Sequence, residues 1–151
     1  MGGVFDIAVV GGGVVGCAAL RRFALEGFRA VLLEAGPDIL CGASKGNSAI
    51  LHTGFDAPPS SLELQCMRDG HAEYLAIRRA LNLPLVETGA LVVAWSEEEA
   101  ARLPAILAQA HANGIGDVHP VSRTELRALE PNLSEGAVGA LREPRENIIH
   151  P

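Results

Sequence analysis

Apolar positions along this chain alternate between short unbroken runs and longer stretches at helical period. Residues 5–10 form a short apolar run that stops at Gly11-Gly12-Gly13, the pattern of a strand buried in a parallel sheet. Residues 14–26 put Leu20, Phe23 and Ala24 on one face and stop at Gly27, so they are predicted to be a helix. Residues 29–34 (RAVLLE) read as a second apolar strand. Together they predict a parallel strand–helix–strand crossover of about 30 residues.

The pattern then changes. Residues 36–59 are rich in Ser, Asn, Gly and Pro and have no period, which over such a length marks a functional or a disordered segment. Ser60 with Glu63 reads as a capping box opening a helix, and Leu64, Met67, Tyr74, Leu75 and Leu81 continue it at helical spacing. Residues 89–95 (GALVVAW) predict a strand. Ser96 and Glu99 form a second capping box, and Leu103, Ile106, Leu107 and Ala110 carry that helix towards Asn113-Gly114. Ser122 and Glu125 open a shorter helix that ends by Pro131, and residues 137–141 predict a further strand. Residues 147–151 (NIIHP) read as the opening of another segment, so the chain is expected to be the front part of a longer protein.

Composition removes several function classes. Twelve Lys and Arg against eighteen Asp and Glu leave a net charge of −6, where a nucleic-acid or anionic-membrane binder needs a basic face. Aromatic residues make up 4%, too few for base-stacking platforms. The longest uncharged run, residues 7–20, is broken by four glycines and is too short to span a membrane. Asp6 stands before it in place of the basic residues of a signal peptide. Three scattered cysteines, Cys17, Cys41 and Cys66, suit neither a disulfide framework nor a metal site and fit a reducing cytoplasm.

Gly11, Gly13 and Gly16 spell G-x-G-x-x-G between the first strand and the first helix. Gly11 permits the tight turn, Gly13 removes a side chain that would block a pyrophosphate, and Gly16 lets helix and sheet pack closely. The helix N-terminus then offers free N–H groups and a positive dipole end. Glu34 ends the second strand, 23 residues after Gly11, where a carboxylate can accept from an adenosine ribose and repel an added 2′-phosphate. The motif by itself does not separate FAD from NAD, and a glycine-rich turn without a nucleotide is its structural alternative.

Residues 43–56 read ASKGNSAILHTGFD and hold Lys45, the single lysine, and His52. With DIAVVGGGVVG, LLEA, TGALVVA, SEEE and LEPNL, this segment resembles the FAD-dependent oxidoreductases of the D-amino-acid-oxidase superfamily. Within it, the chain is most similar to the branch of glycerol-3-phosphate dehydrogenases and oxidases and L-2-hydroxyglutarate dehydrogenases. The resemblance implies an α/β fold: an incomplete Rossmann-like parallel sheet for FAD in residues 1–84, including the loop 36–59, and the start of an α+β substrate domain in residues 85–151. It implies that Gly11, Gly13 and Gly16 hold the FAD pyrophosphate and Glu34 the ribose. Ser44, Lys45, Asn47 and Ser48 match the loop that runs along the cofactor, whereas Gly46 departs from relatives that often carry a larger residue there. His52 matches a histidine near the flavin proposed as the base.

On its own residues, His52 is as readily an ordinary hydrogen-bonding loop histidine. As a base, a neutral imidazole suits removal of the hydroxyl proton while hydride leaves carbon for flavin. Asp56 is a candidate to orient it, or else caps the following turn. His71 reads as a helix residue, and His111 and His119 lack partners at metal spacing. Cys17 and Cys66 read as packing residues; Cys41, beside the cofactor loop, is a weaker redox candidate.

The expected reaction is FAD-dependent oxidation of a small anionic 2-hydroxy compound, first glycerol 3-phosphate to dihydroxyacetone phosphate. L-2-hydroxyglutarate oxidation, amine oxidation of the glycine or sarcosine oxidase type, a non-catalytic FAD-binding module and an NAD-linked dehydrogenase are the alternatives. Oxygen, a quinone or a redox subunit can each accept the electrons, with peripheral contact at the inner membrane face if it is a quinone. The groups that grip the substrate are expected beyond Pro151.

Overall fold

A computed structural model describes residues 3–149; Met1, Gly2, His150 and Pro151, at the outer ends of the two expected domains and of the expected terminal segment, lie outside the described residues. The described residues pack as two compact units, the first ending at Ser48 and the second beginning at Ala49. Residues 49–84, expected with the cofactor-binding part, pack in the second unit.

The first unit is the strand–helix–strand crossover. Strand β1 (Ile7–Val10) pairs in parallel with β2 (Ala30–Leu33), in register from Ile7 opposite Ala30 to Val10 opposite Leu33. Helix α1 (Val14–Leu25) connects them. Its end is a Schellman motif: Gly27 takes φ +87°, its N–H bonds to the Ala24 carbonyl, and the Phe28 N–H bonds to that of Phe23. The rings of Phe23 and Phe28 meet edge to face at 6.0 Å, the apolar contact that accompanies such a cap. Residues Ala43–Gly46 form a short 3-10 turn within the stretch that has no sequence period.

The second unit is built on a three-stranded antiparallel sheet in the order β4 (Ala90–Ala94), β6 (Gly139–Glu143), β5 (His119–Val121). Side chains alternate across its two faces. Val92 and Leu141 pack with Phe55, Ala110 and Ile115 on one side. Leu91, Val93 and Ala140 pack with Val121 and Leu126 on the other. Burial on both faces explains why β4 reads as an unbroken apolar run. Residues His119–Val121 form the edge strand of this sheet, where Pro120, which has no N–H to give to a ladder, is tolerated.

The helices differ from expectation in two places. Helix α2 (Leu62–Ile77) is capped by Ser61, whose hydroxyl accepts the Leu64 N–H at 3.1 Å, and not by Ser60. Ser60 is left-handed (φ 60°) in the preceding turn, so the cap passes to its neighbour and no capping box forms. The helix expected from Ser96 to Asn113 is two helices, α3 (Glu97–Ala100) and α4 (Leu103–Ala112). Pro104 has no N–H to donate to the preceding turn, so it can stand only in the first turn of a new helix. Helix α5 (Arg123–Leu129) starts at Ser122 as expected, and its cap hydroxyl accepts the Glu125 N–H.

A second, smaller pairing organises the candidate catalytic residue. Strand β3 (Ile50–Leu51) pairs antiparallel with β7 (Asn147–Ile148), Ile50 opposite Ile148 and Leu51 opposite Asn147. Val86 bridges to Ile148 from the other side, and the Asn147 side chain accepts the Gly89 N–H at 3.2 Å. Among the described residues, no helix is long and apolar enough to cross a membrane.

Candidate functional site

The glycine turn of the first unit has the shape a pyrophosphate needs. Gly11 takes φ +100°, a conformation that disfavours side chains, and its N–H closes the turn on the Leu33 carbonyl at 2.8 Å. A Cβ at Gly16 would overlap the Gly11 carbonyl oxygen, so that position admits only hydrogen. Gly13 is the N-cap of α1 and brings no capping side chain of its own. Helix geometry leaves the N–H groups of Val14, Val15 and Gly16 without acceptors inside the helix, because the first intrahelical bond runs from the Cys17 N–H to the Gly13 carbonyl.

Ser44 comes to this helix end from the 3-10 turn. Its Oγ accepts the Val14 N–H at 2.9 Å and would lie 3.2 Å from a Cβ at Gly13. A hydroxyl that accepts one bond still carries a proton to donate, so Ser44 can serve an anion beside the remaining N–H groups. Asn47 Nδ2 donates to the Ser44 carbonyl at 2.8 Å and secures the turn. Lys45, Asn47 and Ser48 are exposed. Gly46 faces open space where a Cβ would stand, so a larger residue fits there without a backbone shift.

Glu34 folds back over the turn. Its Oε2 accepts the Gly12 N–H at 2.5 Å and its Oε1 the Gly36 N–H at 2.7 Å. The Gly36 N–H first, and then that of Gly12, holds this carboxyl below the usual carboxylate value. The group is therefore anionic near neutral pH, and each oxygen keeps a second lone pair for a ribose hydroxyl. The residues present thus fit the ADP half of a dinucleotide. Cys17, Cys41 and Cys66 are free thiols, and Cys17 Sγ bonds to the Gly12 carbonyl at 3.5 Å.

His52 lies in the second unit, directly after β3. One step along the β3–β7 register brings Glu146 opposite His52. His52 Nδ1 lies 3.2 Å from Glu146 Oε1, which also accepts the Thr53 N–H at 3.2 Å. The imidazole is 42% exposed and the Glu146 side chain 6%, so a buried carboxylate faces a half-open ring. The carboxylate beside His52 is Glu146 and not Asp56, which is exposed. Glu143 lies one turn earlier and is also buried; its Oε2 accepts the N–H groups of Arg145 and Glu146. Burial raises the Glu143 carboxyl above its usual value against the pull of those two N–H groups.

The other candidates stand apart from this pair. His71 Nε2 faces the Arg145 carbonyl at 3.4 Å, His111 Nε2 that of Val118 at 2.9 Å, and His119 Nδ1 that of Asp117 at 2.8 Å. Each ring is thus engaged with backbone. Among the described residues, no His, Cys, Asp or Glu cluster of three or more is arranged to hold a metal ion.

Residues 6–151 match the DAO family, described as FAD dependent oxidoreductase. The chain belongs to this family. Among its relatives, a glycerol 3-phosphate dehydrogenase of Caloramator mitchellensis is 31% identical over 98% of this chain and 31% of its own length. A mitochondrial L-2-hydroxyglutarate dehydrogenase of Caenorhabditis briggsae is 30% identical over 96% of this chain and 33% of its own. The dithionite-reduced L-α-glycerophosphate oxidase of Mycoplasma pneumoniae, solved with FAD bound, superposes with a TM-score of 0.85. It is 27% identical, and the match covers 96% of this chain and 38% of that one. The chain therefore spans about a third of the length of these relatives, and FAD is the cofactor of the DAO fold to which it belongs.

Proposed function

We propose that this chain supplies the FAD-holding turn and the proton acceptor of an oxidoreductase that converts glycerol 3-phosphate to dihydroxyacetone phosphate. In this reading Gly11, Gly13, Gly16 and the N-terminus of α1 hold the pyrophosphate, with Ser44 donating beside them. Glu34 accepts from the ribose diol. Lys45, Asn47 and Ser48 continue along the cofactor. In function, residues 1–84 are assigned to the cofactor-binding part, although those from Ala49 on pack with the second unit, and residues 85–151 begin the substrate domain.

FAD, when bound, supplies the acceptor for hydride. His52 takes the other product of the oxidation: as the carbon–hydrogen bond breaks, the hydroxyl proton passes to its Nε2 and the alcohol carbon becomes a ketone. The observation that carries this reading is the state of the imidazole. It is half exposed, and its Nδ1 is already engaged, which leaves Nε2 to face a substrate. The likeness to a glycerol 3-phosphate dehydrogenase and to a glycerophosphate oxidase supports the choice of substrate. L-2-hydroxyglutarate is the second reading, on its dehydrogenase at 30% identity.

The test is anaerobic mixing of the FAD-loaded full-length protein with glycerol 3-phosphate or L-2-hydroxyglutarate while flavin absorbance is followed. Glycerol 3-phosphate is expected to bleach the flavin. Bleaching by L-2-hydroxyglutarate alone would transfer the assignment to the second reading, and bleaching by neither would overturn both. In His52→Ala the reduction rate is expected to fall by about 10²–10⁴-fold, the usual range for loss of a general base.

A further inference from the structure

We infer that Glu146 is the positioning residue of His52: its buried carboxylate holds the imidazole in the Nδ1–H tautomer, so that the Nε2 lone pair faces the substrate. The inference rests on the reading of His52 as the proton acceptor.

Three observations carry it. The first is register. The β3–β7 ladder pairs Ile50 with Ile148 and Leu51 with Asn147, and the next pair in the same sequence is His52 with Glu146. The contact is thus set by backbone pairing and not by a chance meeting of two long side chains. A slip of one residue would turn every side chain to the opposite face and separate the two.

The second is burial. Placing an ionised carboxylate away from water is costly unless its charge is hydrogen-bonded or paired. Glu146 has the Thr53 N–H and the His52 ring as partners, both on the same oxygen. A carboxylate accepts only, so the ring nitrogen facing it must be the protonated one. The tautomer of His52 follows directly, and the positive charge that arises when Nε2 takes a proton lies next to a fixed negative one.

The third is support. Glu143, itself buried, accepts the N–H groups of both Arg145 and Glu146, which ties residues 143–146 into a closed turn. On the His52 side, in the loop after β3, Gly54 takes φ +86°, and a Cβ there would come within 2.9 Å of the Leu64 Cδ1. Asn113 Nδ2 donates to the Gly54 carbonyl at 3.0 Å and to that of Ala57 at 2.8 Å. Both sides of the pair are therefore held by other side chains, Glu143 and Asn113, bonding to backbone, and these contacts do not depend on the His52 ring or the Glu146 carboxylate.

The experiment uses the FAD-loaded protein and two readouts. In 15N NMR with labelled histidine, the His52 signals are assigned by their loss in His52→Ala. At a pH where the ring is neutral, Nδ1 is expected to carry the proton; a ring protonated mainly at Nε2 would overturn the inference without any variant at Glu146. In Glu146→Gln the Thr53 N–H keeps an oxygen acceptor, so flavin content and thermal midpoint are expected to stay near wild type. The oxygen that accepts from Thr53 is also the one that faces Nδ1, so Glu146→Gln is expected to keep the Nδ1–H tautomer but to lose the negative charge beside the imidazolium. Flavin reduction is then expected to fall by about 10–100-fold with substrate affinity within about threefold. Glu146→Leu, which removes the acceptor, is expected to lose the tautomer preference as well. An unchanged tautomer in Glu146→Leu, or an unchanged rate in Glu146→Gln, would overturn the inference while leaving His52 as the base. An unchanged rate in His52→Ala would instead remove the reading of His52, and the tautomer readout would still report on the contact.

Discussion

At the scale of single residues, two glycines of the first unit, Gly16 and Gly46, meet opposite surroundings. Gly16 faces the Gly11 carbonyl, while Gly46 faces open space. Gly16→Ala must push the start of α1 away from β1, and the N–H groups meant for the pyrophosphate move with it. The variant is expected to be purified with little flavin, whereas Gly46→Ala keeps the wild-type ratio of flavin to protein. Absorbance of the purified proteins measures both, and a fully loaded Gly16→Ala would refute this account of the turn. Much of this was legible in advance, because the spacing of Gly11, Gly13, Gly16 and Glu34 is itself a record of close backbone approach. The partner of His52 was not legible. Asp56, four residues away, was the nearer carboxylate in sequence, but the register of a strand 94 residues on brings Glu146 to the ring.

At the scale of elements, the capping signals were sound in kind and once misplaced by a residue. Ser96 and Ser122 cap as expected, each accepting from the N–H three residues on. At α2 the cap is Ser61, because Ser60 is held left-handed in the turn before it. Ser61→Ala is expected to cost about 1 kcal/mol, the usual worth of an N-cap hydroxyl, and Ser60→Ala close to nothing. Urea unfolding of the two variants separates them; a larger loss at Ser60 would restore the capping box to that position. The short strands were the elements missed. β3 and β7 are two residues each, too brief to show alternation, and β5 carries a proline. None of them has a pattern of its own, since each is defined by the strand it meets.

At the scale of the molecule, one buried acidic side chain, Glu143, and one exposed one, Glu34, make stability depend on pH in opposite directions. Burial raises the Glu143 carboxyl above its ordinary value of 4.5. Where the unfolded chain has already released this proton, the folded chain still binds it. The contribution of Glu143 is thus full below 4.5 and is lost as pH rises through the folded value. Glu34 has the opposite sign: its lowered value gives stability above 4.5 that is lost on acidification. Glu143→Gln keeps an oxygen for the two N–H groups and removes the titration. The decline of its thermal midpoint from pH 4.5 upward is expected to be shallower than that of the wild type, and parallel curves would contradict the assignment.

The sequence by itself determined the crossover of the first unit, its glycine turn, the acidic end of its second strand and the apolar strands of the sheet. These depend on period, on caps and on the steric demands of glycine, all of which act over a few neighbouring residues. The tertiary structure alone decided that residues 49–84 pack with the second unit, that Ser44 meets the start of α1, and that a buried glutamate stands beside His52. Each of these is a pairing between segments far apart in the chain. Its energy comes from register and burial, and neither leaves a mark in the residues next to it.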